Sequence, residues 1–138
     1  MWFYYALLSA LFAAFTAVFA KMGVSNINSN LATGIRTIII LVLVWSVVFI
    51  KGEAKDIGSL SRYNVIFLIL SGVATGLSWL FYFKALQIGK VSQVAAVDKL
   101  SVAIAIILSV LFFKETLTLK TIIGALLIIS GTILFAVK

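Results

Sequence analysis

The chain has 138 residues, 64% of them hydrophobic and 11% charged, with a mean hydropathy of +1.26; a soluble domain of this size has no core large enough for so much apolar surface. A formal net charge of +7 would suit a nucleic-acid partner in a soluble protein, but the eleven Lys and Arg lie mostly at the ends of apolar runs, where basic residues anchor helices among lipid headgroups, so no nucleic acid is expected. Cysteine and histidine are both absent, which excludes disulfides, thiol chemistry and ordinary zinc sites, and neither a metal nor a cofactor is expected.

The class these numbers leave is an all-α polytopic integral membrane protein. Five apolar runs separated by polar turns predict five transmembrane helices. The first covers residues 2–21 and opens on an interfacial aromatic belt of Trp2, Tyr4 and Tyr5. A signal peptide is the competing reading, but no basic segment precedes the run, which exceeds the usual apolar stretch of about 7–15 residues. Thr16 shares a face with Ser9, Phe12 and Ala13, and that face suits either a cavity lining or plain helix packing.

A polar turn leads to the second helix, residues 29–50, with Arg36 about 10 Å in from its start. Two readings stay open there. The arginine can snorkel back to the headgroups, or it can grip an anionic group or Asp98. The hydrophilic stretch from Lys51 to Arg62 mixes both charge signs and reads as a solvated loop.

The third helix, residues 63–86, carries Gly72 and Gly76 as a GxxxG, which lets another backbone approach closely. On a neighbouring stripe lie Ser71, Thr75, Ser78, Trp79 and Tyr82, hydroxyl and aromatic groups suited to a pocket for an organic molecule. The alternative is that the hydroxyls bond their own helix carbonyls and the aromatics mark an interface.

The fourth helix, residues 91–113, holds Asp98 and Lys99 inside an otherwise apolar run. Each charge at a helix centre costs roughly 2.5–3.5 kcal/mol on insertion scales, so such residues face protein or a watery cavity. Asp98 is the candidate polar centre or coupling carboxylate. Lys99, about 100° further round a regular helix, is not expected to point the same way. The pairing options for Asp98 are Arg36 or Lys99 of the partner subunit, and a structural ion pair that fixes helix register is the competing role.

Thr118 is the expected N-cap of the fifth helix, residues 119–137, where Gly124 and Gly131 leave one smooth face for contact within or between subunits. Five spans put the ends of the chain on opposite sides. Lys51, Lys55, Arg62, Lys114 and Lys120 then face Lys21, Lys84, Lys90 and Lys138, with Arg36 close to the second group. This near balance offers the positive-inside rule no bias, so insertion in both orientations and an antiparallel homodimer are expected.

The stretch from Ala96 to Phe135, AVDKLSVAIAIILSVLFFKETLTLKTIIGALLIISGTILF, resembles the second half of an EamA domain of the drug/metabolite transporter superfamily, down to the final I-G-x-x-L-I-x-x-G. The segment from Gly76 to Val97 is similar to the family's helix-three ending, with its F-x-A-L, and Phe19-Ala20-Lys21 to the end of helix one. The resemblance covers nearly the whole chain. It implies one EamA-type repeat where family members commonly carry two inverted ones, hence a second copy. It also implies a central cavity lined by helices one, three and four of both halves, and alternating access. The implied activity is export or exchange of a small organic metabolite.

One departure stands out: the family commonly has a proline about where Leu100-Ser101 lies, and this chain contains none. A straight fourth helix is therefore expected, with motion by sliding or tilting of packed helices. The small multidrug exporters, a related comparison, carry a glutamate in helix one that this chain lacks.

The expected protein is a multi-pass transporter of the bacterial or archaeal inner membrane. A second possibility is an accessory or assembly subunit that transports nothing alone. An enzyme is not expected, because the acids and bases form no spaced constellation with a nucleophile.

Overall fold

Each of five apolar runs long enough to cross a bilayer is helical, as lipid demands. With no water to bond peptide groups in the hydrocarbon, a spanning segment must satisfy them internally. The structure is a computed structural model that describes residues 1–137. Lys138, counted above among the basic flanks, lies outside the described residues. In chain order α1 is Trp2–Val24, α2 Ser29–Ile50, a 3-10 helix Glu53–Ser59, α3 Arg62–Ile88, α4 Val91–Asp98, α5 Leu100–Phe113 and α6 Leu119–Ala136, with no strand among the described residues. Together α4 and α5 make one span, Val91–Phe113, so the fold is all-α with five candidate spans.

Local chemistry sets the helix ends. Asn28 caps α2, its side-chain oxygen accepting from the amides of Asn30 at 2.8 Å and Leu31 at 3.4 Å. The Ser61 hydroxyl accepts from the Asn64 amide at 3.1 Å at the start of α3. Thr118 caps α6 through the Thr121 amide at 3.2 Å, as its sequence position suggests. Past the end of α2, Gly52 takes a left-handed φ of 68°, the conformation that commonly stops a helix and that glycine adopts without strain. The chain then winds into the 3-10 helix, where the sequence suggested only a solvated loop.

The fourth span is not the single unbroken α-helix expected of a proline-free run. It is interrupted at Lys99, whose amide donates to the Ala96 carbonyl at 3.1 Å, while the Val102 amide donates to the Lys99 carbonyl at 3.0 Å. Both bonds skip three residues rather than four, so one tight 3-10 turn separates α4 from α5. Neither proline nor glycine stands at the turn; its partner is a side chain of α6. The buried Thr132 hydroxyl donates to the Ala96 carbonyl at 3.2 Å, so that oxygen accepts two hydrogen bonds. A side chain inserted at a helix ladder is a recognised cause of such breaks.

The chain divides into two compact units. One comprises Met1–Val18 and the chain from Ile88 onward, with Ala103 and Thr132 among its buried residues. The other, Phe19–Gln87, buries Val24 and Leu86 completely and Phe83 nearly so. Most remaining apolar side chains on the helices are exposed, which suits a protein whose solvent is lipid.

Candidate functional site

In the Phe19–Gln87 unit the end of α1 and the start of α2 are fixed to the end of α3 by polar side chains. The Lys21 ammonium donates to the Leu86 carbonyl at 2.6 Å, and the Gln87 amide group donates to the Ile27 carbonyl at 2.9 Å. Lys84 in turn donates to the Gln87 side-chain oxygen at 3.3 Å. The last carbonyls of a helix lack intrahelical partners and carry its negative end, so a lysine there satisfies both bonding and charge. Lys21 is thus more than a headgroup anchor.

About 10 Å along α2 from this end lies Arg36. Its guanidinium carbon is 4.4 Å from the centroid of the Trp79 ring and 5.2 Å from that of Phe83, two residues one turn apart on α3. Arginine over an aromatic face is stabilised by about 0.5–2 kcal/mol. That offsets part of the roughly 2.5–3.5 kcal/mol that a charge inside a span costs. Tyr82, half-buried like Trp79, is within electrostatic reach of the guanidinium. The snorkelling alternative and the anion-gripping one both left these rings out.

The hydroxyl stripe of α3 divides. Thr75 donates to the carbonyl of Ser71 at 2.9 Å, the helix back-bond that sequence reasoning allowed for, whereas Trp79 faces Arg36. Ser71, Thr75 and Ser78 are exposed. On α2, Thr33 and Thr37 likewise donate to the carbonyls four residues back, at 2.9 and 2.8 Å.

The other unit holds Asp98 and Lys99. The lysine Nζ is 3.6 Å from an Asp98 carboxylate oxygen, with side-chain exposures of 56% for Lys99 and 39% for Asp98. Their charged ends do meet, against expectation, because a lysine stem is long enough to fold back toward its neighbour even though a tight turn of three residues spreads adjacent side chains. At 3.6 Å and this exposure the pair is loose, which leaves the carboxylate accessible. Thr16, in the same unit, is half-buried.

Residues 1–137 match the profile of the EamA-like transporter family. The chain belongs to that family. It is 47% identical over 136 residues to a protein of a Sinorhizobium species named as an uncharacterized transporter in the cobO 3′ region, an alignment covering 99% of this chain and 96% of that one. An uncharacterized protein of Methanocaldococcus jannaschii is 38% identical over 103 residues, 68% of this chain and 75% of its own length. No solved structure matches the chain. With the family, the five apolar helices make this a multi-pass integral membrane protein of a transporter family rather than of an enzyme family.

Two stretches that carry the EamA resemblance meet in space. Phe19-Ala20-Lys21 reaches the F-x-A-L of Phe83 to Leu86 through the bond from Lys21 to the Leu86 carbonyl. Sequence reasoning missed this link, and it missed Phe83 as a partner of Arg36. The signal for the second was present, since Phe83 stands four residues beyond Trp79 and shares its face. The glycines Gly72, Gly76, Gly124 and Gly131 have no close neighbour among the described residues, since a Cβ added at any of them meets nothing within 4 Å.

Proposed function

We propose that this EamA-family chain is a secondary transporter that exports or exchanges a small organic metabolite by alternating access, working as an antiparallel homodimer in the inner membrane of a bacterium or archaeon. The observation that carries this reading is Arg36 on the Trp79 ring. A guanidinium held at span depth against aromatic side chains is a poor structural element in lipid and a good solute contact. Asp98, loosely paired and accessible, serves as the second polar group, as a solute contact or a proton-coupling carboxylate. Ser71, Thr75, Ser78 and Tyr82 supply further polar groups in the unit of Arg36 and Thr16 one in the unit of Asp98, and residues 1–138 act as one EamA repeat.

The second copy is supported by two independent features. The basic residues divide almost evenly between the two sides, so one orientation has no advantage over the other. The glycine faces at Gly72, Gly76, Gly124 and Gly131 carry no close contact among the described residues and allow a second backbone to approach. A pair of inverted copies reproduces the geometry that inverted repeats give to larger transporters.

Purified protein in liposomes tests the reading directly. Exchange of a labelled metabolite, with ligand-induced thermal stabilisation by the same compound, is the expected result. If no metabolite of a broad panel moves or stabilises the protein, the accessory-subunit reading replaces this one.

A further inference from the structure

We infer that the solute is an organic anion, and that Arg36 holds its carboxylate or phosphate group. This rests on the transport reading above and narrows it to a substrate class. The spans of the Phe19–Gln87 unit contain no acidic residue; its only carboxylates are Glu53 and Asp56, in the 3-10 helix beyond the far end of α2. Arg36 precedes Ile50, the last residue of α2, by a helix length of roughly 20 Å, well beyond salt-bridge reach of that turn. Among the described residues the ion pair is Asp98 with Lys99, and Arg36 makes none.

The surroundings of the guanidinium select for an anion. The guanidinium carbon lies over the rings of Trp79 and Phe83. Its in-plane N–H groups donate to no acceptor among the described residues, and no buried polar side-chain atom of the described residues is left unpartnered. Those donors are therefore accessible, not sealed away. The other polar groups nearby are committed: Lys21 to the Leu86 carbonyl, Lys84 to Gln87, and the Thr33 and Thr37 hydroxyls to helix carbonyls. What remains is a planar, permanently charged fork with N–H donors to offer, the chemistry that binds a carboxylate or phosphate through two parallel hydrogen bonds.

The same chemistry is available from the phosphate of an anionic lipid, so the test separates the two sources. Trp79 reports directly on the site once Trp2 and Trp45 are replaced by phenylalanine, which leaves it the sole tryptophan among the three in the chain. The protein is placed in nanodiscs of phosphatidylcholine, and Trp79 emission is titrated with benzoate, succinate and glycerol phosphate. Each is run against its uncharged counterpart: benzamide, succinamide and glycerol.

The expected result is saturable quenching by at least one of the anions and none by its neutral counterpart. Arg36→Gln weakens that binding about tenfold or more, and Arg36→Lys weakens it less, since the charge stays but the fork is lost. Equal binding of acid and amide overturns the proposal without any variant and so does not depend on whether Arg36→Gln folds. Unchanged affinity in a folded Arg36→Gln overturns it as well, as does no response to any anion. A response only to phosphatidylglycerol added to the nanodisc assigns the site to lipid and also overturns it. Transport of a neutral or cationic metabolite by the same protein in liposomes would sink the anion assignment while the transporter reading stood. Arg36-dependent anion binding with no transport would do the reverse.

Discussion

Lys21 and Leu86, 65 positions apart, are joined by a 2.6 Å hydrogen bond from the lysine Nζ to the leucine carbonyl. The contact ties the end of α1 to the end of α3. It lies at the end of the unit where α2 begins, about 10 Å along that helix from Arg36, since the neighbouring Gln87 reaches the Ile27 carbonyl just before α2. The helix ends around the candidate site are thus held by polar bonds, while the helix faces around it offer mostly apolar surface.

Removing the Lys21 ammonium should loosen this end of the unit. A hydrogen bond with a charged donor contributes about 1.5–3 kcal/mol, and Lys21→Met forfeits it while keeping the apolar stem. The expected outcome is a loss of that order in unfolding free energy, measured by denaturant titration in detergent micelles. Lys21→Arg should recover most of it. A Lys21→Met protein as stable as the parent would show the bond to be incidental.

A single hydroxyl of α6 bonds to the turn at Lys99. Thr132→Val keeps the shape of the side chain and removes the donor to the Ala96 carbonyl. Interhelical hydrogen bonds in membrane proteins average about 0.6 kcal/mol, with a maximum near 1.7, so a modest loss of stability is expected. The diagnostic readout is hydrogen exchange. Amides around Lys99 should exchange faster in Thr132→Val and remain unchanged in Thr132→Ser. Unaltered exchange in the valine variant would mean that the turn is set by the α4–α5 backbone alone.

How much of this was legible beforehand follows from where each signal resides. The all-α membrane fold is written in run length and hydropathy, which are local quantities, and so is the cap at Thr118. The interruption at Lys99 carries no such mark. Proline or glycine would have announced it, but the side chain that bonds there is Thr132, 33 positions beyond Lys99. Asp98 and Lys99 stood out because charge in an apolar run is costly wherever it points, yet their mutual contact depends on how the lysine stem folds, which no local pattern records. Arg36 was visible for the same reason. Its rings were not, because the register between α2 and α3 is a tertiary quantity. Even so, Trp79 already lay on the polar stripe of Ser71, Thr75 and Ser78.

Asp98 offers a sharper test of coupling than of architecture. Its pairing with Lys99 is 3.6 Å long and partly exposed, so little stability rests on it. Asp98→Asn is expected to fold with a melting temperature close to the parent's. If Asp98 carries the coupling proton, solute uptake into liposomes should respond to an imposed pH gradient in the parent and ignore it in the variant. Retained gradient dependence would remove Asp98 from the coupling step. A variant that fails to fold would assign the residue a structural role instead.

The central claim is solute transport by two copies of opposite orientation, and charge-directed topology puts it to trial. One variant, Lys51→Ser with Lys55→Ser, removes positive charge from one side; another, Glu53→Lys with Glu115→Lys, adds it to the same side. Since the chain has no cysteine, a single cysteine at Lys90 reports the orientation of each by labelling from either face. The decisive measurement is solute uptake by liposomes containing either variant alone or both together. The account predicts labelling of the parent from both faces, labelling of each variant from one face, negligible uptake by either variant alone, and recovered uptake when the two are combined. Full uptake by one singly oriented variant would contradict it, as would a mixture that stays inactive while the parent transports.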